Sequence, residues 1–177
     1  MIKNIKLNLE AIEALHFFWI AASEKDQVDE KFFHDLGEMD AVKLVYDDEF
    51  NAESVRRALS AIKNREPFSG NKSERKFWNL NMWAMEDLEL TASMIMPIKK
   101  LNLDNLVSKV SVADNPKKYD TLEVYFSPIH DDEFRIIENK LLINFFRIRT
   151  SFVDDSVLIG DVELEKYIEE KLIEVLK

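Results

Sequence analysis

A chain of 177 residues, 46% hydrophobic and 33% charged, is long enough to bury a core as one domain and too apolar to stay disordered. Without cysteine it forms no disulfide, thiolate nucleophile, zinc ribbon or cysteine-held iron–sulfur cluster, which suits a reducing cytoplasm. Its net charge of −10 repels nucleic acid and attracts a basic protein, and its three glycines, Gly37, Gly70 and Gly160, lie too far apart for a glycine-rich phosphate loop.

Near the start, Ile5, Leu7 and Leu9 alternate with Lys6, Asn8 and Glu10, the period of a half-buried strand. The period then lengthens. Ala11, Ile12, Leu15, Phe18, Trp19 and Ala22 share one side of a helix whose other side carries Glu10, Glu13 and His16. Those polar residues also interrupt the apolar run of a secretion signal, and no run reaches the roughly 18 residues of a membrane span, so neither is expected. Asp26 is placed to cap a second helix through Val28, Phe32 and Leu36 that stops at Gly37. Val42, Leu44 and Tyr46 predict a short strand. Asn51 opens a helix with Val55, Ala58, Leu59 and Ile62 on one face. Pro67 and Gly70 break the chain before Asn71, whose spacing to Glu74 is that of a capping box.

The longest helical pattern runs from about residue 72 to 96, where Pro97 is expected to end or kink it. Its polar side is narrow, holding Asn79, Glu86, Glu89 and Ser93. A helix apolar around most of its circumference must be covered on several sides, by the rest of the chain or by a second copy. It is therefore read as the central buried helix and as a reason to expect a homodimer. Leu80, Trp83, Ala84 and Leu88 are expected to be buried. Asn81 and Asp87 interrupt the apolar surface. A buried carboxylate there needs a partner, such as Arg147, Arg149 or a tryptophan N–H, or else it lines a cleft as a functional group.

Downstream, Asp104–Val110 reads as a short helix, Asn115–Lys118 as a loop and Leu122–Phe126 as a strand. Phe134–Glu138 and Leu141–Arg149 form a hairpin about Asn139-Lys140, the second strand apolar on both faces and therefore central. Val157–Ile159 is a last strand, and Gly160-Asp161 starts a terminal helix with Leu164, Ile168, Leu172 and Val175 as its buried stripe. The predicted class is α+β in a single domain, 1–177. A helical part (about 1–110) surrounds the central helix, followed by a three- to four-stranded antiparallel sheet and a C-terminal helix (about 120–177).

Candidate chemistry is sparse. His16, His34, Asp35 and Asp87 can be written in the order used by metal-dependent phosphohydrolases of the HD type, where imidazoles and carboxylates hold a divalent ion. In that reading they are the metal ligands, with His34, Asp35 and Asp87 catalytic. A second His-Asp pair, His130-Asp131, stands alone. The acidic runs at Asp47–Glu49, Asp131–Glu133 and Asp154-Asp155 lack the calcium-loop glycine and suit turns. Lys63, Arg65, Lys72, Arg75 and Lys76 gather before the long helix, diluted by Glu66 and Glu74, as a solvated face and not a nucleic-acid platform. The favoured reading needs no cofactor. It is a cytoplasmic, non-enzymatic module that binds a protein partner of basic character through an acidic surface, as an inhibitor or immunity-type protein does.

Overall fold

The computed structural model describes residues 1–151 and 153–177. The first alternating stretch is strand β1 (Asn4–Asn8), and helix α1 (Glu10–Ser23) follows at once. Then come α2 (Glu30–Gly37), α3 (Asp40–Lys43), α4 (Ala52–Lys63), α5 (Lys72–Glu86), α6 (Leu88–Lys99) and α7 (Asp104–Ser111). Strands β2 (Thr121–Ser127), β3 (Phe134–Ile137) and β4 (Lys140–Asn144) lead through a 3-10 turn (Phe145–Arg147) to β5 (Ile148–Thr150), β6 (Val157–Ile159) and β7 (Val162–Glu163). Helix α8 (Leu164–Leu176) closes an α+β fold.

The main sheet has the order β1-β2-β4-β3. The expectation of an antiparallel sheet is corrected: β1 pairs parallel with β2, β2 parallel with β4, and β3 alone runs antiparallel, against β4. The first strand precedes the helices and the second follows them, so a long helical crossover returns the chain in the same direction. Central strands buried on both faces read as continuous apolar runs. Leu141, Leu142 and Ile143 of β4 fit that rule; in β2 Leu122, Val124 and Phe126 are buried on one face and Tyr125 on the other. Helices α1 and α3 pack on β2, α7 on β1 and α8 on β4. The hairpin turn places Glu138 at φ 55. A smaller antiparallel sheet, β5-β6-β7, lies beyond, in contact with α6 and α8. Buried side chains from β1 to α8 form one cluster.

Several boundaries differ from expectation for identifiable reasons. Asp29, not Asp26, caps α2, accepting from the Lys31 N–H at 3.3 Å. Residues 40–43 form the one-turn helix α3 where a strand was predicted at 42–46, because Ala41, Val42 and Val45 are buried together at helical spacing. The helix expected over 72–96 is two helices broken at Asp87. Pro97 stays inside the last turn of α6, which continues to Lys99. The strand expected to run to Arg149 ends at Asn144, whose side chain caps the 3-10 turn by accepting from the Phe146 N–H at 2.9 Å. Gly160-Asp161 is the β6–β7 turn, with Gly160 at φ 62, and α8 starts only at Leu164. Its predicted stripe of Leu164, Ile168, Leu172 and Val175 is buried.

Candidate functional site

The two polar interruptions of the central helix have opposite fates. Asn81 is completely buried. It accepts from Trp19 Nε1 at 2.9 Å and donates to the Phe77 carbonyl at 2.9 Å, tying α5 to α1. Asp87 is exposed at the α5–α6 break, with φ −135 and ψ 74. Its carboxylate accepts from the Leu90 N–H at 3.1 Å, so it is the N-cap of α6 and not a buried carboxylate needing an arginine. Thr91 Oγ1 lies 2.9 Å from the Ala84 carbonyl and 2.8 Å from that of Asp87, which holds the break from the other side. Ala84 is buried as expected, Leu80 and Leu88 are half-buried, and Trp83 is corrected to 40% exposed.

The residues written as a metal site lie on different elements. His16 is half-buried on α1, where burial and then the charge of Lys99 push its imidazole below the ordinary value. His34 and Asp35 are exposed on α2, and Asp35 accepts from Lys31 Nζ at 2.8 Å. With Asp87 capping α6, these residues make no group of three or more able to hold a metal ion among the described residues.

The acidic runs are turns. Asp47 accepts from the Glu49 N–H at 2.8 Å, Asp131 pairs with Lys76 at 3.0 Å and Asp132 with Arg135 at 2.8 Å. Asp154 accepts from the Ser156 N–H at 2.9 Å. Beside the Lys76–Asp131 pair and Phe50 sits His130, buried, with its ring 4.6 Å from that of Phe50 and Nδ1 without a hydrogen-bond partner among the described residues. Burial first, then Arg135 and Lys76, lowers its proton affinity against the pull of Asp47 and Asp131. Arg65, Lys72 and Arg75 of the basic cluster before α5 are exposed, and the inward pairing beside them is made by Arg57. Glu74 accepts from Ser54 Oγ at 2.7 Å, Arg57 Nη1 at 3.0 Å and the Asn71 N–H at 3.0 Å, while Arg57 Nη2 reaches the Ser69 carbonyl at 2.7 Å. Burial raises the Glu74 carboxyl, but these donors outweigh it and hold it below the usual range.

A local excess of acid lies at the other end of the chain. From Thr150 to Lys177 eight carboxylates stand against three lysines, a net of −5 out of −10. Lys166 and Lys171 are tied to Glu169 and Glu174. Residues 155–158 and 163–165 line a hollow of about 300 Å³ between the end of α6, β6 and the start of α8. Pro97, Leu101, Leu158 and Leu164 contribute its apolar lining, Asp155, Glu163 and Glu165 its carboxylates. A recess of about 550 Å³ continues it along α6 past Met96 and Asp154. Another, of about 270 Å³, shares Glu163 and Glu165 and reaches Leu106 and Lys109 of α7. Sequence reasoning marked Asp154-Asp155 as a turn and missed Glu163, Glu165 and the apolar lining. The excess of acid after Thr150 was the readable signal; its meeting with Pro97 and Leu101 was not. Comparison of the chain with known protein families, curated proteins and solved structures finds no match.

Proposed function

We propose that this protein is a non-enzymatic module that binds a basic protein partner through its acidic surface, in the manner of a small inhibitor or immunity-type protein. The observation that carries the reading is the uneven distribution of charge: half of the net −10 falls on the last 28 residues. Asp155, Asp161, Glu163, Glu165 and Glu170 have no ion-pair partner among the described residues, and all lie in the last part of the chain. Unpaired carboxylates on one region raise the encounter rate with a basic surface and repel nucleic acid. No helix among the described residues is long and apolar enough to cross a membrane, and a cytoplasmic setting fits the absence of cysteine. Homodimerisation belongs to the same proposal, with a narrower basis: the apolar helix is largely covered by its own chain, leaving Trp83 at 40% and Met96 at 55% exposure.

Affinity capture from a native lysate tests the reading. A basic protein should be retained at low salt and released at about 0.5 M, where screening is short-ranged. Recovery of no partner counts against it. Stoichiometric divalent metal in the purified protein favours the other class, a metal-dependent enzyme, with the metal held elsewhere than by His16, His34, Asp35 and Asp87 together. Sedimentation settles the oligomeric state.

A further inference from the structure

We infer that the hollow between α6, β6 and α8 is a docking site for an arginine side chain presented by a basic protein partner. This rests on the protein-binding reading above and adds to it a place and an anchoring group. The hollow joins two chemistries. Pro97, Leu101 and Leu158 are half-buried apolar groups, and Leu164 is buried beneath them. Asp155, Glu163 and Glu165 supply three carboxylates, and no lining residue is cationic. Apolar surface beside unpaired carboxylates matches a side chain made of a hydrocarbon stem with a positive head.

The choice among such side chains follows from desolvation. A lysine ammonium is compact and strongly hydrated. A guanidinium is planar, more weakly hydrated, and offers a fork of donors that can serve two carboxylates at once. A purely apolar side chain would cover part of the carboxylate hydration without a compensating charge, and an anion would be repelled. None of the three carboxylates forms an ion pair among the described residues, so an incoming guanidinium breaks no internal bridge. The neighbouring Glu169 and Glu174, by contrast, are already neutralised at 3.2 and 3.1 Å. The flanking recess past Met96, itself 55% exposed, gives an apolar residue next to the arginine somewhere to rest.

The test is an amide-resolved NMR titration of the full-length chain with the blocked peptide Gly-Arg-Leu-Arg-Gly, its lysine and glutamate counterparts, and spermidine. The arginine peptide should shift the amides of Leu101, Leu158 and Glu163 to Glu165 and bind several-fold tighter than the lysine peptide, while the glutamate peptide has no effect. The double variant Glu163→Gln, Glu165→Gln should weaken the arginine peptide by about tenfold or more with an unchanged melting curve. Leu158→Ala, which removes apolar lining and no charge, should weaken it as well. Shifts centred elsewhere on the acidic surface overturn the hollow and leave the protein-binding reading standing. No shift with any cationic probe overturns both. Spermidine competing as well as the arginine peptide makes the hollow a general polycation site and overturns the arginine assignment. A dimer dissolved by the same double variant replaces the arginine partner with a second copy of the chain.

Discussion

Glu74 and Glu165 both lie in the first turn of a helix, α5 and α8, in opposite surroundings. Glu74 is 12% exposed and enclosed by a serine hydroxyl, a backbone N–H and an arginine that also binds the Ser69 carbonyl. Glu165 stands at a hollow with Asp155 and Glu163 and no cation. The helix N-terminus favours a carboxylate in both places. The difference is what surrounds it. Around α4 and α5, polar groups are taken out of water and matched one by one, which locks helix to helix. At the C-terminal corner they are left hydrated and unmatched, which contributes little to the fold and leaves them free for a partner.

The largest expected effect lies on the matched side. Asn81→Ala strands the buried Trp19 N–H and opens a small cavity, which costs about 3 kcal/mol. Thermal unfolding should show a fall of about 6–12 °C. Next comes Glu74→Ala, about 2 kcal/mol in urea unfolding, from the lost cap and the stranded Arg57 and Ser54 donors. Because the folded carboxyl sits below its unfolded value of 4.5, its contribution is present above that pH and lost as pH falls through the folded value. The variant should therefore be less sensitive to acid below about pH 4.5.

His130 gives a second, separate pH window. Its folded form holds the proton less tightly than the unfolded chain, whose value is 6.5, so stability is full above that pH and declines as pH falls below it. His16 adds an effect of the same sign. The melting temperature should drop between pH 7.5 and 5.5, and less so in His130→Phe. An equal drop in that variant would show that burial of this imidazole is not the cause. Smaller still is Asp87→Ala, about 1 kcal/mol for a lost N-cap, with Asp87→Asn within about 0.5 kcal/mol because asparagine caps as well. At the foot of the scale, Glu163→Gln with Glu165→Gln should leave stability within about 0.5 kcal/mol. A larger loss there would erase the contrast between the two regions.

Most of what could be read in the sequence depends on near neighbours, although the Asp26 cap and the strand at 42–46 are local readings that fail. The Asn71–Glu74 capping box, the Asn51 cap, the β3–β4 hairpin and the stripe of α8 all follow from spacings of a few residues. The parallel pairing of β1 with β2 depends on contacts more than a hundred residues apart and leaves no local pattern. The Asp87 break was hidden for a different reason. A wheel drawn through residues 72–96 assigns Asp87 to an apolar arc whose members belong to two helices with different axes. Asp87 is a strong N-cap residue, but neither glycine nor proline accompanies it to mark the turn. The candidate site was only half visible, since charge excess can be counted along the chain while a hollow shared by α6, β6 and α8 cannot.

The pairing of Asn4–Asn8 with Thr121–Ser127 also orders events in time. Everything from α1 to α7 lies inside one strand-to-strand connection, and the sheet lacks its second strand until residue 127 has been made. Closing so long a loop is slow, and its entropic cost precedes any ladder hydrogen bond. The helices between must therefore associate first, through contacts such as Trp19 with Asn81, and deliver the two strands to each other. Folding is expected to begin in the helical layer and the local β3–β4 hairpin, with docking of β1 on β2 as the late, rate-limiting step.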